Sequence, residues 1–362
     1  MIPERWREVA LAPPAAWGAP LGQGVLRTTP EDFEVHESLG FEASGTGPHA
    51  MLRVRKRGAN TEWVARELAR AVGCKPFEVG FAGLKDRNAL TTQFFTVPRG
   101  KRAAVDLAGI RGEGFEVLSA AEHQRKLPRG ALDGNRFIIT VREFRCEPAA
   151  LDTRLARLRE GGVPNYFGEQ RFGREAGNLE AVLRAAGSSG GSRGTHGPRG
   201  DQRGFMLSAA RSLIFNAILA DRVERHSWDT LLPGDVAILD GRGSVFPVPS
   251  TDDTLAGRCA ALEIHPTAPL VGDGNGDGNN DRESLVTGEV RTREESIAAG
   301  FPEALAVIRA ARMNGERRAT RIAVRDLEYD YDGEVLRLAF ALTAGSFATT
   351  VLREIVAGSV GE

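Results

Sequence analysis

The chain has 362 residues, of which 41% are hydrophobic and 26% are charged, and its formal net charge is -1. This length favours two domains, and the balanced charge excludes a strongly basic protein that would attract nucleic acid through its overall field. No apolar run is expected to span a membrane, and residues 1–14 lack the apolar core of a signal peptide. These features predict a cytoplasmic globular protein.

The cysteines and histidines are scattered along the chain. Cys74, Cys146 and Cys259 are odd in number and lack metal-type spacing, a pattern typical of reduced thiols. The histidines form no His-x-x-x-His pattern, and there is no Cys-x-x-Cys. The sequence therefore predicts no structural zinc.

Residues 25–73 predict two strands followed by a helix. Phe33 begins an alternating strand, and residues 49–56 predict a second strand whose cations, Lys56 among them, face outward. The helix begins at residues 60–62, where a capping hydroxyl precedes an acid, and apolar residues follow at four-residue spacing. A strand, a helix and further strands in this order favour an α+β domain with helices over a mostly antiparallel sheet.

A tight polar loop at residues 83–90 contains Asp86 between Lys85 and Arg87. Strand patterns flank the loop on both sides. A carboxylate between two cations, on a loop held by two strands, should stay ionised, which suits a nucleophile or a base better than a proton donor. An ordinary solvated turn has the same local pattern, and local chemistry alone favours that simpler interpretation.

Residues 133–141 combine turn chemistry with a strand rich in β-branched residues. Asn135 and Phe137 stand two positions apart at the start of this strand, so their side chains share a face. Without further evidence, Asn135 is more simply a turn cap and Phe137 a core residue.

The next part of the chain predicts a domain boundary and a polar, aromatic segment. A helix over residues 151–160 ends at Gly161-Gly162, which is the best candidate for the boundary. Residues 163–174 mix aromatic, cationic and amide side chains. This mixture suits unstacked bases and backbone phosphates, and it equally suits an irregular loop with buried aromatics.

Two long helices and two loops are expected further on. Residues 205–225 predict the longest helix, and residues 295–313 predict another. Residues 187–203 are rich in Gly, Ser and Arg and predict a mobile loop. Residues 272–281 are rich in Gly, Asp and Asn and predict a disordered insertion.

The C-terminal part returns to β structure. Residues 321–342 predict a hairpin of two strands, and a helix over residues 348–356 follows. These elements are too small to fold alone, so we expect them to rejoin the first sheet. The sequence thus predicts one domain from residues 1–161 together with 319–362, and an inserted domain at 162–318.

Seven motifs, taken together and in order, resemble the TruD family of pseudouridine synthases, enzymes that isomerise uridine 13 of transfer RNA. They are residues 29–33 (TPEDF), 60–61 (NT), 82–91 (AGLKDRNALT), 134–137 (GNRF), 162–173 (GVPNYFGEQRFG), 207–212 (LSAARS) and 344–349 (AGSFAT). The resemblance runs from about residue 27 to residue 354 and so covers nearly the whole chain.

The resemblance implies roles for individual residues. Asp86 is implied to be the catalytic aspartate. The residues implied to contact the target nucleotide are Phe33, Asn135, Phe347 and, in the same pocket, Phe137. Arg27 stands beside the active site where the family more often has Lys, so the charge is kept but the hydrogen-bonding geometry is not.

The resemblance also implies a V-shaped molecule with transfer RNA in the cleft between a pseudouridine-synthase catalytic domain and an inserted α/β TRUD domain. Isomerisation involves no redox change or net hydrolysis, so no cofactor or metal is expected, and no obligatory protein partner is evident. Two other functions remain open. A carboxylate-dependent nucleosidase would need a second, proton-donating acid, and a non-catalytic RNA-binding protein would not need Asp86.

Overall fold

The computed structural model describes residues 1–99, 106–188, 201–273 and 285–357. The described helices are α1 (Glu4–Leu11), α2 (Thr61–Val72), α3 (Pro148–Gly161), α4 (Gly177–Ser188), α5 (Asp201–Glu224), α6 (Asp253–Ala260), α7 (Gly288–Ala299), α8 (Pro302–Ala310) and α9 (Ala348–Arg353). The described strands are β1 (Gly22–Gln23), β2 (Val25–Leu26), β3 (Phe33–Ser38), β4 (His49–Lys56), β5 (Gly80–Phe81), β6 (Leu90–Pro98), β7 (Arg111–Gly112), β8 (Phe115–His123), β9 (Gly134–Arg142), β10 (Val163–Pro164), β11 (Asp235–Leu239), β12 (Val245–Val248), β13 (Ile264–Leu270), β14 (Glu316–Ala319), β15 (Arg321–Ile322), β16 (Arg325–Tyr331), β17 (Leu336–Thr343) and β18 (Val356–Ala357). Most of the two loops predicted at 187–203 and 272–281 lies outside the described residues.

The chain folds into two compact units. Among the described residues, the Asp86 unit contains those within 21–152, 324–345 and 356–357, and the α5 unit contains those within 1–20, 153–323 and 346–355. Residues 1–20 and 346–355 thus pack in the α5 unit, although the sequence grouped both with the chain around Asp86. The division into a catalytic domain and an inserted domain stays a prediction.

A large sheet forms the Asp86 unit. Its strands run in the order β16-β17-β9-β3-β6-β4-β8-β7, with β2 beside β9 and β5 beside β6. The pair β3–β6 is parallel and the other pairs are antiparallel. The prediction of an α+β fold with a mostly antiparallel mixed sheet is confirmed, and the C-terminal strands β16 and β17 do rejoin this sheet.

Helix α2 packs on this sheet through its apolar face. Asn60 occupies the N-cap position, and Gly73 ends the helix with a left-handed φ of 73°, a conformation that glycine adopts without a side-chain clash. Val64 and Leu68 are buried in one cluster with Phe95 of β6. The helix therefore fixes the chain that leads into β5 and the Asp86 loop.

The α5 unit is built around its longest helix. Helix α5 is buried in a cluster that also includes residues of α1, α4 and α8. An antiparallel sheet of the order β12-β11-β13-β14 belongs to the same unit. The helix predicted at 295–313 is instead two helices, α7 and α8, because Pro302 cannot continue a helix and begins a new one.

The sequence analysis expected no apolar run long enough to span a membrane. This expectation is wrong when only length and composition are considered. Residues Gln202–Glu224 of α5 are long and apolar enough to cross a membrane. However, 72% of the apolar segment is buried within the protein, which is the environment of a core helix.

The alternation along β17 turns Phe340 to the buried face of the large sheet. Phe340 is fully buried and pairs in register with Phe137 of β9. We expect Phe340→Ala to lower the free energy of unfolding by about 3–5 kcal/mol, because it leaves a cavity under the sheet. Chemical denaturation followed by circular dichroism measures this loss. Arg337→Ala, on the exposed face of the same strand, is the control and should change stability by less than about 0.5 kcal/mol. Equal effects of the two changes would contradict this account of the core.

Candidate active site

The loop between β5 and β6 carries Asp86 and is fixed by buried hydrogen bonds. The Thr61 hydroxyl donates to Gln93 Oε1 at 2.9 Å and accepts from the backbone N–H of Lys85 at 3.0 Å. The Gln93 side-chain amide donates to the Gly83 carbonyl at 3.2 Å. The hydroxyl predicted to cap α2 makes these bonds instead, because Asn60 takes the N-cap position. The part of the loop that precedes Asp86 is therefore tied to α2 and β6.

A buried ammonium group lies directly against the backbone of this loop. Lys56 Nζ donates to the carbonyl oxygens of Asp86 at 2.7 Å, Ala59 at 2.9 Å and Lys85 at 3.3 Å. Three acceptors match the three donors of an ammonium group. Burial lowers the pKa of Lys56 to about 8, although the nearby charge of Asp86 acts in the opposite direction.

The prediction that Lys56 faces outward is wrong. Lys56 is 1% exposed and lies in phase with Leu52 and Val54, which are also buried. The sequence did contain this signal, since a cation at an inward position of a strand needs buried acceptors. The acceptors themselves are backbone carbonyls of loops, and these have no signature in the sequence.

The carboxylate of Asp86 is held by one cation and one backbone amide. Arg27 Nη1 lies 2.9 Å from Oδ2, and the backbone N–H of Asn88 donates to Oδ1 at 2.9 Å. The Asp86 side chain is 33% exposed and that of Arg27 only 14%. Arg87 turns away and donates to the Gly58 carbonyl. Arg87, which is next to Asp86 in the sequence, therefore makes no ion pair with it. The ion pair is made by Arg27, which stands 59 positions upstream.

The backbone at Arg27 is held in an uncommon conformation. Its φ is 61°, in the left-handed region that non-glycine residues seldom adopt. Such conformations cost of the order of 1–3 kcal/mol and cluster at functional sites. The guanidinium carbon of Arg27 lies 4.2 Å from the ring centroid of Phe33, so the side chain is stacked on one face of this ring while it binds Asp86.

Lys85 is paired with a different acid, Glu37. Lys85 Nζ lies 3.0 Å from Glu37 Oε1, and it donates to Asn135 Oδ1 at 2.6 Å. Glu37 is a fully buried side chain whose other oxygen accepts the backbone N–H of Phe94. Because Asn135 Oδ1 accepts from Lys85, its Nδ2 is the end of the amide left to donate to a further group.

Phe33 and Phe137 form an aromatic wall beside this network. Their ring centroids lie 6.2 Å apart in an edge-to-face arrangement, and Phe137 also contacts Phe340 at 5.6 Å. Phe33 is 5% exposed and Phe137 is 7% exposed. Both rings are therefore largely committed to the core.

Phe347 belongs to the α5 unit, unlike the other five predicted site residues. It occupies the N-cap position of α9. Its ring lies 6.0 Å from that of Phe167, and the guanidinium carbon of Arg171 lies 5.9 Å from its centroid.

The network around Asp86 also includes side chains to which the sequence analysis assigned no site role. These are Lys56, Glu37, Thr61 and Gln93.

The cysteines and the acidic side chains form no further site in the part of the chain that the structure describes. Cys74, Cys146 and Cys259 are free. Within residues 1–99, 106–188, 201–273 and 285–357, no group of three His, Cys, Asp or Glu side chains could hold a metal ion.

The lowered pKa of Lys56 predicts opposite pH dependences for activity and stability. Activity should fall as pH rises through about 8, because a neutral amine has only two donors for three carbonyls. Below this pH both folded and unfolded chains bind the proton, and burial of the charge costs stability. Between about 8 and the ordinary value of 10.5 the unfolded chain binds more protons, so this group's contribution to the unfolding free energy rises. The reaction rate and the free energy of unfolding, both measured across this pH range, check the predicted fall in activity and the predicted rise in stability.

Lys56→Met removes the ammonium while roughly keeping the length of the side chain. We expect a loss of about 10²-fold in rate at neutral pH, because the loop no longer holds Asp86 in place, and loss of the alkaline fall in activity. Arg53→Met, on the exposed face of the same strand, is the control. An unchanged rate and pH profile for Lys56→Met would exclude this role.

Comparison with known proteins identifies the family. The model of the family described as tRNA pseudouridine synthase D (TruD) matches residues 16–185 and 201–355. A tRNA pseudouridine synthase D from Xanthomonas campestris is 42% identical over 352 residues, covering 94% of each chain. That of Pseudomonas aeruginosa is 41% identical over 354 residues, covering 96% of this chain and 95% of the relative.

The fold also matches a solved structure. A crystal structure of a protein from Methanosarcina mazei that carries the TruD name superposes with a TM-score of 0.72 at 22% identity, covering 98% of each chain. At this identity the match supports the fold, and the family model together with the relatives above 40% identity supports membership. The chain therefore belongs to the TruD family, tRNA pseudouridine synthase D.

Proposed function

We propose that this chain converts uridine to pseudouridine in transfer RNA, with uridine 13 as its target and Asp86 as its catalytic residue. Membership of the TruD family supports the reaction class. The observation that carries the proposal is the Asp86 carboxylate itself. It is partly open to solvent and held on a loop fixed from α2, β4 and β6. We place the reaction in the cytoplasm and assign catalysis to the Asp86 unit.

The chemistry requires a carboxylate at the glycosidic bond. The N1–C1′ bond of uridine breaks, the base turns, and C5 joins C1′; C5 then loses its proton and N1 gains one, so that the product is an isomer of the substrate. Asp86 can act as a nucleophile on the sugar or base, or as the base that removes a sugar proton. Each of these steps consumes the negative charge of Asp86 and later restores it. Arg27, bound to Oδ2 and stacked on Phe33, keeps the carboxylate in one orientation during this cycle.

The target uridine must leave the folded RNA to reach Asp86, because its reacting atoms are covered in a stacked helix. Asn135 is proposed to read the flipped base. Its Oδ1 is occupied by Lys85, so its Nδ2 donates to a carbonyl oxygen of uracil. Glu37 fixes Lys85, and Lys85 in turn fixes which way the amide points.

The aromatic residues are proposed to differ in their use. One face of Phe33 is covered by Arg27, and Phe137 packs between Phe33 and Phe340. These two rings therefore act as a rigid wall that touches the nucleotide by an edge. Phe347 is less buried and is proposed to contact the target nucleotide in the manner that the family resemblance implies.

A nucleosidase receives less support than a synthase. It would need a second acid that protonates the leaving base. Glu37 is the acid joined to the Asp86 loop through Lys85, but its side chain is fully buried, with one oxygen paired with the Lys85 ammonium and the other accepting the backbone N–H of Phe94. It is not placed to donate a proton to a substrate.

Asp86→Asn is the direct test of the proposed function. We expect wild type to form pseudouridine at position 13 of an unmodified transfer RNA transcript, and the variant to be slower by about 10³-fold or more because the amide cannot replace the carboxylate. Primer extension after carbodiimide treatment maps the product. Asp253→Asn, at the exposed start of α6, is the control. Product at another position would overturn the choice of uridine 13, and free uracil would favour the nucleosidase.

Variants of Arg27 test how the carboxylate is oriented. Arg27→Met should lower the single-turnover rate by about 10²-fold, since it removes a charged hydrogen bond to Asp86. Arg27→Lys keeps the charge, loses the stack on Phe33, and should lower the rate by only about tenfold. Arg87→Met is the matched control because the Arg87 guanidinium donates to the Gly58 carbonyl and not to the Asp86 carboxylate. If Arg27→Met and Arg87→Met behave alike, the proposed role of Arg27 is wrong.

A further inference from the structure

The guanidinium group of Arg171, in the α5 unit, has no hydrogen-bond acceptor among the described residues. Arg171 lies on the turn after Phe167, and its guanidinium carbon is 5.1 Å from the Phe167 centroid and 5.9 Å from that of Phe347. Across residues 1–99, 106–188, 201–273 and 285–357, its guanidinium makes no hydrogen bond or ion pair. Burial alone lowers the pKa of Arg171, so part of its hydration is lost and no acceptor among the described residues replaces it.

A second arginine lies against the same aromatic ring. The guanidinium carbon of Arg318 is 4.2 Å from the Phe167 centroid, and its Nη2 donates to Asn165 Oδ1 at 2.5 Å. Burial and the charge of Arg171 lower the pKa of Arg318 to about 9. Two guanidinium groups held on one ring repel each other, and a nearby anion would relieve that repulsion.

The carboxylate on this turn is directed elsewhere. Glu169 stands two residues before Arg171, but its Oε1 lies 3.6 Å from Arg353 Nη2. The turn itself sits tightly on the start of α9, since a Cβ atom at Gly168 would lie only 2.7 Å from Thr349 Oγ1. The backbone that carries Arg171 is therefore fixed, and its guanidinium is oriented by stacking.

We propose that Arg171 binds a phosphate of the RNA backbone, with Phe167 and Phe347 holding its guanidinium plane and Arg318 adding a second positive charge. This inference rests on the proposed function, because it takes RNA as the substrate. A guanidinium presents paired N–H donors that match two phosphate oxygens, and stacking leaves that edge available. Phosphate contacts set the position of the RNA without reading its sequence.

The test is the salt dependence of transfer RNA binding by Arg171→Gln. We expect roughly tenfold weaker binding, as for the loss of one hydrogen-bonded charge pair. We also expect the slope of log affinity against log salt to become shallower by about 0.7–0.9, because one fewer counterion is released. The single-turnover rate at saturating enzyme should stay near that of wild type, since Arg171 positions the RNA and does not touch the reacting atoms.

The control is Arg309→Gln, which removes one exposed charge from α8 of the same unit. An unchanged affinity and slope for Arg171→Gln, or an equal change in both variants, overturns the inference. If Arg171→Gln melts at a lower temperature, Arg171→Lys decides. For Arg171→Lys, the slope of log affinity against log salt should equal that of wild type while the affinity falls. An affinity equal to that of wild type overturns the inference. Failure of wild type itself to modify transfer RNA would instead contradict the proposed function, which separates the two failures.

Discussion

The buried ammonium of Lys56 is the constraint on which the candidate site depends. A charge removed from water must be given acceptors, and here all three acceptors are carbonyls of the chain segments that meet at Asp86. The end of β4, the start of α2 and the Asp86 loop are thereby joined at one atom. The ammonium group therefore holds the backbone of the loop at Lys85 and Asp86, and the backbone in turn positions the Asp86 carboxylate.

The ion pairs around the loop join residues that are close in space but distant in the sequence. Asp86 takes Arg27 as its partner and Lys85 takes Glu37, while Arg87, adjacent to Asp86 in the chain, binds a carbonyl. The side chains of the two ion pairs differ in their exposure to solvent. The Glu37–Lys85 pair is sealed and acts as structure, whereas the Asp86 carboxylate stays partly open and accessible for chemistry.

Local periodicity explains what the sequence could predict. The alternation in β9 and β17 and the four-residue spacing in α2 depend only on which face is buried, so these elements were found. The position of Asp86 between two strands was also recognised. Three features depend on contacts between distant segments of the chain. They are the inward orientation of Lys56, the ion pair between Arg27 and Asp86, and the packing of residues 1–20 in the α5 unit. Such contacts leave no pattern within a window of sequence, and the family resemblance could supply only some of them.

The order of strands in the large sheet has a consequence for biosynthesis. Strand β9 lies between β3 and β17, and eight of its residues pair with β17, which is made nearly two hundred residues later. Residues 153–323 of the α5 unit are synthesised in the interval. Until β17 emerges, β9 presents an unpaired edge that can recruit strands from other chains. The Asp86 unit is therefore completed only after β17 has been synthesised, and a nascent chain that stalls before residue 324 is exposed to aggregation at that edge.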